Sequence, residues 1–238
     1  MMFDPIYLAL MLPALLLSLW ASWRTRSAFN KYSRVRTLSG LTGAQAAAKL
    51  LAAAGIRDVE IVATRGTLSD HYNPATKKLA LSEPVYGSAS VAAVGVACHE
   101  AGHAIQHARH YAPLWLRSAL VPTANIGSSL GYLTMMLGLF LLYMSDGGGL
   151  GRTVILFGAV LFSAVLLFQI VTLPVEFDAS ARAKKLAFEH GIVMDQERAG
   201  MAKVLNAAAL TYVAAVVSTL MTLLYFLLRA GFLGGNRN

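Results

Sequence analysis

His99 and His103 stand four residues apart, with Glu100 beside the first, in Val96-Ala97-Cys98-His99-Glu100-Ala101-Gly102-His103-Ala104. On an α-helix, positions i and i+4 lie nearly one above the other. Two imidazoles spaced this way can share one metal ion, and the glutamate sits slightly aside, placed to draw a proton from a water at that metal. The chemistry is metal-assisted hydrolysis. The flanks suit a helix, with Ser88-Ala89-Ser90-Val91-Ala92-Ala93-Val94 before the motif and Ile105-Gln106-His107 after it. The plainer reading of the same spacing is two helical histidines beside a solvated glutamate.

A catalytic zinc commonly takes three protein ligands and keeps a fourth position for water. His107 shares the face of His99 and His103, but a straight helix rises about 6 Å in four residues, so three successive histidines do not readily surround one ion. No glycine turn re-aims a third histidine, and His110 is a weaker candidate still. Glu176, in Leu173-Pro174-Val175-Glu176-Phe177-Asp178-Ala179-Ser180-Ala181-Arg182, is the better third ligand. It opens a predicted helix, alanines follow it, and two histidines with a glutamate form a known zinc set. Asp178 competes within this stretch, but at i+2 it points to nearly the opposite helix face. A solvated acid near a membrane exit is the plain alternative for Glu176. Cys98 is the only cysteine, so an intramolecular disulfide is excluded, and it reads as a small core residue.

The 238-residue chain is 56% hydrophobic and only 13% charged, with a mean hydropathy of +0.57. A soluble domain is nearer a quarter charged, so the composition indicates a membrane protein. The net charge of +8 would point a soluble protein toward nucleic acid. Here the basic residues flank apolar runs, which assigns them to a membrane surface and argues against a nucleic-acid partner.

Four spans are predicted, at 5–23, 120–144, 154–173 and 208–228. The first lacks a basic stretch before it and a small-residue cleavage site, so it reads as a retained helix with Trp20 and Trp23 at the interface. Arg24, Arg26, Lys31, Arg34 and Arg36 follow it and place the N-terminus outside. Residues 24–119 and 174–207 then share the cytoplasmic side, while the outer segments keep Arg152, Arg237 and Arg229. Gly127 and Gly131 in the second span would let another helix approach closely. Residues 145–149, including Asp146, read as a flexible outer loop, and 231–238 as a disordered tail.

Within the cytoplasmic regions, Thr42 caps a predicted helix that Gly55 ends. Residues 59–63 and 78–81 read as short strands, and 68–74 as a polar turn region. Such strands could pack beneath the motif helix or receive an extended peptide at an edge. After Pro174, 176–190 reads as a polar helix, and a shorter one over 195–206 leads into the fourth span.

His-Glu-Ala-Gly-His-Ala-Ile-Gln at 99–106, Leu-Ser-Asp-His-Tyr-Asn-Pro at 68–74 with Leu81-Ser82-Glu83, and Glu-Phe-Asp-Ala-Ser at 176–180 together resemble the YugP-type neutral zinc metallopeptidases of bacterial membranes. The resemblance covers most of the chain, spans included. It implies a mainly α membrane protein with a small α+β, zincin-like catalytic domain on the cytoplasmic side of the bacterial inner membrane. It implies Zn2+ on His99, His103 and Glu176, with Glu100 as the catalytic residue. The expected activity is metalloendopeptidase hydrolysis of a membrane-associated protein or peptide, in the lipid bilayer, with a regulatory membrane partner or a homo-oligomer as further expectations. A more distant likeness to the membrane heat-shock and CAAX-processing metallopeptidases is imperfect. Those usually carry Asp four residues after the glutamate ligand, where this chain has Ser180, and Asp178 or Ser180 could instead orient a histidine. His71, Tyr72 and Arg182 are the candidates for stabilising an oxyanion.

Two other functions compete. An intramembrane protease would usually draw its third ligand from an aspartate in another apolar helix, and the third and fourth spans here hold no acid. A non-enzymatic scaffold or transporter component would tend to keep charge within its spans, whereas here it gathers in the loops.

Overall fold

The structure is a computed structural model that describes residues 4–145 and 148–233. Asp146 and Gly147 of the glycine loop and residues 234–238 of the tail, Arg237 among them, lie outside the described residues. The chain is mainly helical, with one three-stranded sheet. It runs α1 (Pro5–Tyr32), α2 (Gly43–Ala53), β1 (Glu60–Thr64), β2 (His71–Asn73), β3 (Lys78–Ser82), α3 (Glu83–Tyr86), α4 (Val91–Ala108) and α5 (Ala112–Ile126). A π-helical turn, Gly127–Gly131, then leads into α6 (Tyr132–Met144), α7 (Gly149–Glu189) and α8 (Asp195–Arg229). Among the described residues, four helical stretches are long and apolar enough to cross a membrane: Pro5–Tyr32, Ala112–Met144, Gly149–Glu189 and Asp195–Arg229.

The chain divides into two compact units. One comprises Met1–Trp20, Leu116–Thr172 and Tyr212–Asn238. Its core gathers Met135, Leu139, Ile155, Phe162, Tyr225 and Phe226. The small-residue pair read from the sequence does bring two backbones together here. A Cβ on Gly127 would lie 2.4 Å from the Leu161 carbonyl oxygen, and one on Gly131 would lie 2.7 Å from the Phe162 nitrogen. Backbone approach of this kind is how apolar helices gain dispersion contact where no hydrophobic drive separates them from lipid.

The other unit comprises Ala21–Trp115 and Leu173–Thr211. α4 lies at its centre, and the sequence explains why. Val91, Ala92, Ala93, Val94, Ala97, Ala101, Ala104 and Ile105 leave scarcely a polar side to the helix, and all are buried. A helix apolar all round is stable only when neighbours surround it. α2 packs against it through Ala46, Ala47, Leu50 and Leu51. That helix begins in a capping box between Thr42 and Gln45, and Gly55 beyond its end takes φ +78°, as the sequence leads one to expect. Beside them lies the sheet, in the order β1-β3-β2, with β1 parallel and β2 antiparallel to β3. Leu79 and Leu81 of β3 point into the core.

The predicted helix over 195–206 and the span 208–228 form the single helix α8, and two further elements differ from the sequence reading. His71-Tyr72-Asn73, within the predicted turn region, forms edge strand β2, because β3 supplies partners for its backbone. A three-residue polar segment carries no period of its own by which to be seen. The stretch after Pro174 is not a separate helix, since α7 runs unbroken through that proline. Proline fixes φ near the helical value and withholds one N–H, a loss that neighbouring structure can absorb.

One of the close helix contacts in this unit falls inside the histidine motif. A Cβ on Gly102 would lie 2.6 Å from the Ala179 carbonyl oxygen of α7, with further backbone atoms 3.2 Å away. Rigid backbone cannot yield as a flexible side chain would. Gly102→Ala should therefore lower the thermal midpoint of the detergent-solubilised protein by the equivalent of about 1–3 kcal/mol. Gly87→Ala, whose added methyl meets open space, is the matched control and should leave the midpoint in place.

Candidate metal centre

α4 places His99 and His103 one turn apart on the side that faces α7, and their ring centroids lie 4.7 Å apart at an interplanar angle of 83°. Glu176 enters from α7. Its Oε2 lies 3.2 Å from His99 Nε2 and 3.5 Å from His103 Nε2. The contact made by Gly102 against Ala179 explains this reach, because Ala179 follows Glu176 by three residues on the same helix. One donor atom from each of the three side chains falls within 4.8 Å of the other two. His107, His110 and Asp178 do not join this group.

Burial makes the group chemically unusual. Glu176 is 2% exposed and His103 6%, with Glu100 buried beside them. Desolvation pushes the Glu176 carboxyl toward neutrality, yet hydrogen bonds and charge from His103 and His99 outweigh it and hold the group well below the ordinary carboxylate range. Glu176 lies past the apolar run that ends at Leu173, on the polar part of α7. Burial likewise lowers the His103 basicity, but hydrogen bonding to Glu176 and the charge of Glu100 raise it above that of a free imidazole. A buried carboxylate against two imidazole nitrogens calls for a cation, and a proton or a divalent ion can serve. Two imidazole nitrogens and one carboxylate oxygen form the donor set of a catalytic zinc with its fourth position open. The residues fit such an ion.

The other ring nitrogens are held as well. His99 Nδ1 lies 3.0 Å from Ser180 Oγ, and His103 Nδ1 lies 3.0 Å from Gln106 Oε1. Ser180 follows Glu176 by one helical turn, so ligand and orienting hydroxyl share a face of α7. Asp178 instead accepts hydrogen bonds from Gln106 Nε2 at 2.8 Å and from Arg182 Nε at 2.5 Å. It reaches His103 only through Gln106. No role was read for Gln106 from the sequence, although its position three residues after His103 puts it on the same helix face.

The three oxyanion candidates all have other partners. His71 Nδ1 meets the Ser69 carbonyl oxygen at 2.9 Å, Tyr72 Oη meets His107 Nδ1 at 2.8 Å, and Arg182 is paired with Asp178 above the Tyr111 ring. Cys98, as expected, is a packing residue. It is fully buried and the apolar surroundings push its thiol up to about 12.

Comparison with known proteins points to the same metal. Residues 7–231 match the family described as "Putative neutral zinc metallopeptidase". The chain belongs to that family. It is also 44% identical, over 223 residues, to the "Putative membrane protease YugP" of Bacillus subtilis, covering 94% of this chain and 96% of that protein. No solved structure matches. This membership makes zinc the family's metal, and His99, His103 and Glu176 are the group in this chain that can hold it.

Zinc must displace any proton on His103, and the raised basicity of that imidazole fixes the sign of the pH effect. Apparent zinc affinity, measured by competition with a chromophoric chelator, should begin to fall on acidification at a pH above the free-imidazole value. An affinity constant to well below that value would contradict the environment described for His103. His99→Ala and Glu176→Ala should each abolish stoichiometric zinc in metal analysis.

Proposed function

We propose that this membrane protein is a zinc-dependent endopeptidase that cuts peptide bonds with an activated water. The convergence of donor atoms from half-buried His99 and buried His103 and Glu176 carries the reading, because a buried carboxylate facing two imidazoles serves metal binding better than folding. Membership of the zinc metallopeptidase family supports it. His99, His103 and Glu176 would hold the ion, which, when bound, would polarise the scissile carbonyl and acidify a water.

Glu100 is the general base in this reading. It is buried next to His99 on the same helix, and it interacts electrostatically with His103. A carboxylate so placed can take a proton from the attacking water and hand it to the leaving amine as the C–N bond breaks. Ser180 and Gln106 keep the ligand rings from turning away.

The substrate follows from the sheet. β2 is an edge strand, and Tyr72 ties it to α4 through His107. An extended peptide added along this edge would run beside the helix that bears the motif. The 24–119 and 174–207 regions would together form the zincin-like domain, with 5–23, 120–144, 154–173 and 208–228 as the spans. The arginines and lysines at 24–36 favour a cytoplasmic site in the bacterial inner membrane. Substrates would be membrane-associated or membrane-proximal proteins.

Glu100→Gln separates base from ligand, since the amide keeps the side-chain shape and removes the proton acceptor. The variant should fold and bind zinc as the parent does, while cleavage of an unfolded membrane-protein substrate drops by at least about 100-fold. Hydrolysis at the parent rate by the zinc-loaded variant would refute the role.

A further inference from the structure

Gln106 is wholly buried, and its surroundings settle which way its amide faces. One end of the amide lies 2.8 Å from the Val175 carbonyl oxygen and 2.8 Å from Asp178 Oδ2. A carbonyl oxygen accepts and cannot donate, and the Asp178 carboxylate already accepts from Arg182 Nε. The end facing this pair must therefore be the NH2, since the reverse orientation would set oxygen against oxygen twice. The amide oxygen is left 3.0 Å from His103 Nδ1. Having no proton to give, it requires one on Nδ1. His103 Nε2 then presents its lone pair toward Glu176 and His99 whenever the ring is neutral.

His99 is held differently. Its Nδ1 partner is the Ser180 hydroxyl, which can donate or accept and so accommodates either tautomer. The two ligand rings are thus unequal: one is committed to the ligating form, while the other can adapt.

We propose that Gln106 is a positioning residue that locks His103 into its Nδ1–H, metal-ready tautomer, with Asp178, Arg182 and the Val175 carbonyl fixing the direction of the amide. This rests on His103 being a zinc ligand. Its physical content is nonetheless a property of the chain itself, present before metal arrives.

Full-length protein in detergent tests the lock by two readouts. In the metal-free parent, 15N NMR of the histidine rings at a pH where His103 is neutral should show a proton on Nδ1 alone. Gln106→Met keeps the length and bulk of the side chain but offers no hydrogen bond. It should populate both tautomers and weaken zinc binding by about 10–100-fold, while helical circular dichroism is unchanged. Ile105→Val, a buried neighbour that faces away from the ligands, should alter neither readout. A parent His103 carrying its proton on Nε2 would overturn the proposal, and that measurement stands even if the methionine variant does not fold. Unchanged tautomer and zinc affinity in a folded Gln106→Met protein would overturn it too. A parent that binds no zinc but holds His103 as Nδ1–H would support the lock and defeat the peptidase reading instead.

Discussion

A carboxylate buried to 2% exposure is the constraint around which the rest of the site is arranged. Glu176 cannot stay ionised in an apolar interior without nearby positive charge, and two imidazoles lie within reach of its Oε2. Those imidazoles belong to another helix, so α4 and α7 must come close enough for side-chain atoms to meet at little more than 3 Å. Gly102 makes that approach sterically feasible by admitting the Ala179 carbonyl where any side chain would clash. The small residues of the motif are as necessary as its histidines. Chemistry and packing are served by the same turn of helix.

The hydrogen bonds behind the ligands extend this logic. Both imidazoles are oriented by neutral groups, a serine hydroxyl and a glutamine amide, where the more distant membrane peptidases usually place a carboxylate four residues after the glutamate ligand. A neutral partner orients an imidazole without adding electron density to it, so the ion should stay the stronger Lewis acid. Asp178, the carboxylate nearest in sequence to Glu176, is engaged by Arg182 and by the Gln106 amide and not by the imidazoles. Its negative charge acts at one remove, fixing the direction of a dipole. Such a chain of buried and half-buried hydrogen-bonded groups holds a geometry more firmly than separate contacts would.

Long continuous helices connect these local features to the membrane. α7 carries a long apolar run and, past Pro174, Glu176, Asp178, Ser180 and Arg182 at alternate positions of one helix. Because all four lie beyond the proline on one continuous helix, the helical repeat fixes the relative directions of their side chains. α4 and the sheet are bound by an alanine-rich core in which bulk is contributed mainly by Leu50, Leu79, Leu81 and Ile105. The many alanines of the central helix let these larger side chains pack close against it.

The sequence alone was enough to name the metal motif, the four apolar spans, the capped helix at Thr42 and the packing role of Cys98. Each of these depends on residues within a few turns of one another, where period, spacing and composition report directly on local structure. Glu176 could be proposed from its ligand type and its neighbours, but spacing left Asp178 and His107 as rivals. Only the tertiary structure brought donor atoms from positions 77 residues apart to within reach, and showed Asp178 and His107 engaged elsewhere. β2 was invisible for the same reason, since its strand character resides in the backbone of β3 and not in His71-Tyr72-Asn73. So was the role of Gln106. Its position on the histidine face could be counted off the helix, but the direction of its amide depends on acceptors supplied by α7. Local order is written in neighbouring residues. Which faces meet, and which atom of a side chain then faces which, is decided by the packing of the whole unit.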